Sequence, residues 1–122
     1  MESAMGRMQV AERGDPKQVL RQCAAMGLDL KTVSFCLGVH PKTVERWLDG
    51  RSDPSEPAVR SLEKLDAICR TARRLLKPAA GRTWFAAPNK TLGGEPPLAL
   101  IRRGELDRVR TVLGMLEWGI YS

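Results

Sequence analysis

Aromatic side chains are scarce in this sequence: three Trp, two Phe and one Tyr among 122 residues. A core built from so few rings has to be mainly aliphatic. Histidine occurs once, and the three cysteines, Cys23, Cys36 and Cys69, include no Cys-x-x-Cys pair. Neither a Cys₄ nor a Cys₂His₂ zinc site can be drawn from that set, so no metal and no cofactor are expected. At their spacings the thiols read as small buried hydrophobes, which fits a reducing compartment. No apolar run approaches the ~20 residues that span a bilayer. The opening segment MESAMGRMQVAERGD places acids where a signal peptide has its basic region, and no long apolar segment follows. A cytoplasmic protein without membrane contact is expected. Enzyme chemistry is also poorly provided for: no Cys has an obvious base partner, and no glycine-rich phosphate loop follows a strand.

Hydrophobic residues make up 43% and charged residues 28% of the chain, a globular balance and not a disordered one. The net charge of +6 suggests an anionic partner, but its placement says more. Residues 16–57 carry six basic and five acidic groups, while residues 58–77 carry six and two. The positive charge is concentrated on the middle of the chain.

Residues 1–15 show no sustained period and read as a flexible N-terminal arm. From Pro16, Val19, Leu20, Cys23 and Ala24 recur on one helical face, and Gly27 ends the helix. Asp29 is a good N-cap for a short helix to Leu37, with Val33, Ser34 and Leu37 inward. Gly38 makes a tight turn. Pro41 opens the next helix, whose apolar stripe is Val44, Trp47 and Leu48. Together these form a helix-turn-helix, and residues 16–57 are expected to be a DNA-binding domain.

With that stripe buried, Lys42, Thr43 and Arg46 point outward at the start of the second motif helix, where base edges are reached in a major groove. Arg46 suits guanine, Thr43 a thymine methyl or a phosphate, and Lys42 a phosphate. Lys31, near the first motif helix's positive end, suits a backbone clamp. Against DNA binding stand the region's modest charge, Glu45 and Asp49 on the same helix, and His40 where Ser or Thr more often caps.

Residues 51–57, RSDPSEP, read as a polar linker. One long connecting helix should run from Ala58 to Lys77, its apolar face formed by Val59, Leu62, Leu65, Ile68, Cys69, Ala72, Leu75 and Leu76. Its basic face, including Arg70, Arg73 and Arg74, reads most simply as solvated. A short helix with Trp84 and Phe85 leads into WFAAPNKTLGGEPPLALIRRG, residues 84–104. Asn89, Gly93-Gly94 and Pro96-Pro97 dictate a fixed, turned path there, with Pro97 in the first turn of a helix that Gly104 ends. The last helix, from Glu105, places Leu106, Val109, Val112, Leu113 and Leu116 inward. Gly114 in its middle costs ~1 kcal/mol relative to Ala, which suggests that another helix approaches closely. Aromatic residues in the closing Trp118, Gly119, Ile120, Tyr121 and Ser122 are poorly explained by self-packing and form a candidate partner site. Residues 58–122 thus carry the candidate partner-binding site, and the whole reads as all-α.

The C-terminal residues resemble the bacterial Xre/MbcA/ParS antitoxins, partners of RES-domain toxins. Their toxin-binding domain carries Trp, Pro-Asn, Leu-Gly-Gly, Pro-Leu, a helix-closing Gly, Arg-Val and a late Gly. These stand here as Trp84, Pro88-Asn89, Leu92-Gly93-Gly94, Pro97-Leu98, Gly104, Arg108-Val109 and Gly119. The resemblance implies an all-α protein with an N-terminal helix-turn-helix bundle, a long connecting helix and a small helical C-terminal toxin-binding domain. It also implies a homodimer, a higher hetero-oligomer with an NAD-consuming RES-domain toxin, and a C-terminal tail, Trp118 to Ser122, that covers the toxin's active site. Operator DNA is a second implied partner, through repression of the chain's own operon. The alternative is a stand-alone dimeric helix-turn-helix regulator with no toxin partner.

Overall fold

The computed structural model describes residues 15–119, and every regular element within them is helical. In chain order the α-helices are α1 (Pro16–Ala25), α2 (Leu30–Leu37), α3 (Pro41–Leu48), α4 (Glu56–Leu75), α5 (Pro78–Ala86), α6 (Pro97–Arg102) and α7 (Leu106–Glu117). A single 3₁₀ turn, Lys90–Leu92, lies between α5 and α6. The N-terminal arm and the last three tail residues, Ile120 to Ser122, lie outside the described residues.

Local chemistry sets the helix boundaries. The Asp15 carboxylate accepts from the Lys17 N–H at 3.3 Å, and Pro16 fills the first turn of α1. At the far end Gly27, with φ +82°, lets the Leu28 N–H return to the Cys23 carbonyl at 2.8 Å. That reversal carries Met26 and Leu28 into the core. It also corrects the expected face of α1: Ala24 is exposed, because Met26 and Leu28 supply the burial beyond Cys23. Asp29 caps α2 through the Thr32 N–H at 2.9 Å, and this bond is the main cause holding its carboxyl below the usual range. His40 caps α3: its Nδ1 accepts from the Lys42 N–H at 3.1 Å. A histidine acceptor therefore does there what Ser or Thr more often does.

The long helix begins two residues before Ala58, because Ser55 accepts from the Ala58 N–H and Glu56 and Pro57 fit the first turn. At 20 residues it is about 30 Å long. One edge packs on α1 and another on α7. Leu62, Leu65, Ile68, Cys69 and Ala72 form its buried face. A single apolar cluster joins Val19 and Cys23 of α1, the α4 face, Phe85 of α5, Leu100 and Ile101 of α6, and Val109 and Leu113 of α7. The two halves of the chain therefore share one core.

Gly114 does not have the role expected of it. A Cβ on Gly114 would meet nothing within 4 Å among the described residues, so none of their helices touches it. The close approach is at Gly81 in α5, where a Cβ would stand 2.6 Å from Met26 Sδ. Asp66 is a further surprise on the apolar face of α4. It is 7% exposed, with Oδ2 held by Arg70 Nε at 2.7 Å and Oδ1 unpartnered among protein groups.

Candidate partner-binding surfaces

The path from Trp84 to Gly104 is organised by Asn89, which is nearly fully buried. Its backbone N–H donates to the Glu95 carbonyl at 3.1 Å, and its own carbonyl accepts from the N–H groups of Leu92 and Gly94 at 3.0 and 2.9 Å. Its side-chain oxygen accepts from the Thr91 N–H at 3.0 Å. One residue thus closes the loop from both sides. Gly93 and Gly94 take φ values of +70° and +88°, which the reversal requires and side-chain-bearing residues rarely adopt. Leu92 turns into the core, Trp84 meets Phe85 edge-on with ring centroids 5.0 Å apart, and buried Pro97 opens α6 with half-buried Leu98 behind it. Pro88 is exposed. Gly104, at φ +78°, lies so close to α2 that a Cβ would be 3.2 Å from the Cys36 carbonyl oxygen.

A charged brace holds the same loop from outside, and sequence reasoning missed it. Arg103 donates to both carboxylate oxygens of Glu95 at 2.8 Å each and to Glu105 at 2.6 Å; Arg108 reaches Glu105 at 3.1 Å. The bonds from Arg103 hold both carboxyls below the usual range, and those carboxylates raise the guanidinium in turn. Only the turn bringing Glu95 beside α6 creates this group, so no local pattern announces it. Most of the 84–104 motif residues, Arg108 included, therefore act on the shape of the segment.

Beyond that braced segment lies α7. Trp118 caps it, its N–H donating to the Gly114 carbonyl at 3.1 Å, while its indole is 80% exposed. Gly119 follows at φ +72°. Glu117, one residue earlier, pairs with Arg74 of α4 and fixes the last turn. Gly114 opens on a groove of about 180 Å³ between α4 and α7, floored by Ala67, Ile68, Thr71 and Leu113 and flanked by Arg110 and Glu117. Arg110, Gly114 and Trp118, at i, i+4 and i+8, share one face of α7.

The second surface lies on α2 and α3. Lys42 and Arg46 are exposed on α3, Thr43 is half-buried between them, and Lys31 is exposed in the first turn of α2. Val44 is buried beneath, with Trp47 and Leu48 half-buried. Asp49 is paired with Arg51 at 2.8 Å, which offsets one of the two acids on α3. Phe35, one turn beyond Lys31 on α2, is 57% exposed, a large apolar group that the stripe analysis passed over. Basic side chains of α4 are partly answered within the chain: Arg70 by Asp66, Arg74 by Glu117, and Lys64 by Asp107 at 3.2 Å.

The described residues contain no group of three or more His, Cys, Asp or Glu arranged to hold a metal ion. No described helix is long and apolar enough to cross a membrane.

The architecture is that of an all-α protein in which a braced loop and a last helix capped by an exposed Trp118 are carried on a long central helix. Residues 71–119 match the family model described as the antitoxin Xre/MbcA/ParS C-terminal toxin-binding domain, the family whose resemblance Trp84 to Gly119 carries. The mycobacterial cidal antitoxin MbcA is 25% identical over 96 residues, which are 79% of this chain and 85% of the relative, in both Mycobacterium tuberculosis and Mycobacterium bovis. Among solved structures, the crystal structure of the M. tuberculosis MbcT–MbcA toxin–antitoxin complex contains a chain that superposes with a TM-score of 0.69 at 23% identity. The superposition covers 88% of this chain and 96% of that one. That likeness establishes the all-α fold.

Proposed function

We propose that this chain is an antitoxin that binds and neutralises a cognate toxin through its C-terminal part. The observation that carries the reading is Trp118: a large apolar ring left in solvent at the end of the segment that matches a toxin-binding domain. An exposed aromatic on a rigid helix end is the kind of side chain that anchors an interface. In this reading the toxin is a RES-domain enzyme that consumes NAD. Trp118, Gly119, Ile120, Tyr121 and Ser122 enter its cleft and cover its active site. Residues 58–122 also dimerise the chain, and higher hetero-oligomers form with the toxin.

Exposed Lys31, Lys42 and Arg46, with Thr43, favour a second activity: α2, the Gly38 turn and α3 act as a helix-turn-helix on operator DNA, repressing the chain's own operon. A stand-alone regulator would keep this activity and lack the first.

Co-expression with the protein encoded beside it separates the two. Rescue of a growth defect and co-purification, both lost when residues 118–122 are removed, are the expected results. A harmless, non-binding neighbour would overturn the antitoxin reading and leave the regulator.

A further inference from the structure

Three arginines from two different helices line up along one stripe of α1. Arg70 donates to Gln18 Oε1 at 3.4 Å, Arg73 to Gln22 Oε1 at 2.5 Å, and Arg82 to the Ala25 carbonyl at 3.4 Å. Positions 18, 22 and 25 are i, i+4 and i+7 on α1, so the three guanidinium groups form a row about 10 Å long. All three are exposed. Their α1 acceptors are neutral, so each arginine is oriented by those contacts without losing charge. Among the described residues only Arg70 has a carboxylate, Asp66, and neither Arg73 nor Arg82 forms an ion pair. Exposed Lys17 and Arg21 on α1, and Lys77 just beyond α4, add to the same sign.

We propose that this row contacts the phosphate backbone of a nucleic acid duplex, without regard to base sequence. A guanidinium has five N–H donors in a planar fork, and each arginine spends one or two on its protein partners, leaving others for phosphate oxygens. Each strand of a duplex presents one charge per ~3.4 Å of axis, so a row of this length meets about three phosphates. A protein partner is the weaker fit. Interfaces between proteins centre on buried aromatic or aliphatic anchors, and the exposed large hydrophobics among the described residues, Phe35 and Trp118, lie on neither α1, α4 nor α5. The row is distinct from the α2–α3 surface and does not depend on the operator reading of it.

The test uses the full chain and a short fluorescent duplex of arbitrary sequence, titrated between about 50 and 200 mM salt. Arg73→Gln with Arg82→Gln keeps the Asp66–Arg70 pair intact, and glutamine retains the Cγ of Arg82 that packs over Gly27. The expected result is weaker binding on every sequence, with the log–log salt slope reduced in magnitude by about 2 at an unchanged melting temperature. An unchanged slope overturns the proposal, as does a wild-type chain that does not bind the duplex. So does a defect confined to binding a protein partner. Should the double variant melt early, Arg73→Gln alone, expected to reduce the slope by about 1, decides it. Lys42→Ala with Arg46→Ala tests the α3 reading separately, since those changes should alter sequence preference and leave the contribution of the row in place.

Discussion

The Sγ atoms of Cys23 and Cys69 stand 3.5 Å apart, with no solvent exposure at either residue, and join α1 to α4 at the centre of the core. The contact with Cys69 and burial push the Cys23 thiol far above its ordinary value; burial pushes half-buried Cys36 up to about 12. In the folded chain both stay protonated at a pH where the unfolded chain ionises. A raised thiol pKa contributes stability that is fully present below about 9 and lost as pH rises toward the folded value. Denaturation midpoints should therefore fall between pH 9 and 11, by up to ~1.4 kcal/mol per pH unit for each such thiol. Cys23→Ala should flatten that fall. An identical pH profile in the variant would show that the thiol pair is not its source.

Gly81 is the point where α5 meets Met26, and it has no room for a methyl group. Gly81→Ala should destabilise the chain by ~1–3 kcal/mol in urea titration, despite alanine's better helix propensity. Because the clash is with a flexible thioether, adding Met26→Val should recover part of the loss. Additive costs in the double variant would place the strain elsewhere.

Gly114 predicts the opposite sign. Its Cβ would enter open space within α7, so Gly114→Ala should stabilise the free chain by ~1 kcal/mol. The same methyl narrows the groove between α4 and α7. If the toxin or a second copy seats there, the stabilised variant should bind it more weakly, as measured by calorimetry on the purified partners.

The brace of Arg103 on Glu95 and Glu105 should loosen in acid. Both carboxyls are held below their ordinary value, so their contribution is present above about 4.5 and lost as pH falls through the lower folded values. Amide protection factors at Leu92 to Glu95, which correct for the intrinsic pH dependence of exchange, should fall in Arg103→Ala at neutral pH, and in the wild type only in acid. Exchange unaffected by the substitution would mean that Asn89 holds the loop unaided.

Helix placement was largely legible in the sequence because caps and punctuating residues act locally: Asp29, Gly38, Pro41 and Pro97 each mark a boundary at the residue or within one of it, and Gly104 within two. The turned path of 84–104 was legible for the same reason, since Asn89, Gly93 and Gly94 accept backbone geometries that other residues resist. What could not be read are contacts that only the folded path of the chain creates. Met26 against Gly81, Glu95 against Arg103 and Gln22 against Arg73 become neighbours only after the helices pack. Gly81 and Gly114 look alike as glycines inside helices, and only the tertiary fold distinguishes the crowded one from the open one.

The continuous core around α4 limits how this molecule can be rearranged. Helices of eight to ten residues do not hold themselves together in water; α1 finds its apolar wall on α4, and α2 packs mainly on α6 with a lesser contact to α4. An excised head ending at residue 57 would lose that wall and melt, and a foreign head grafted onto Ala58 would find a surface shaped for Val19 and Cys23. Recombination between relatives should therefore exchange the whole chain, or only its ends.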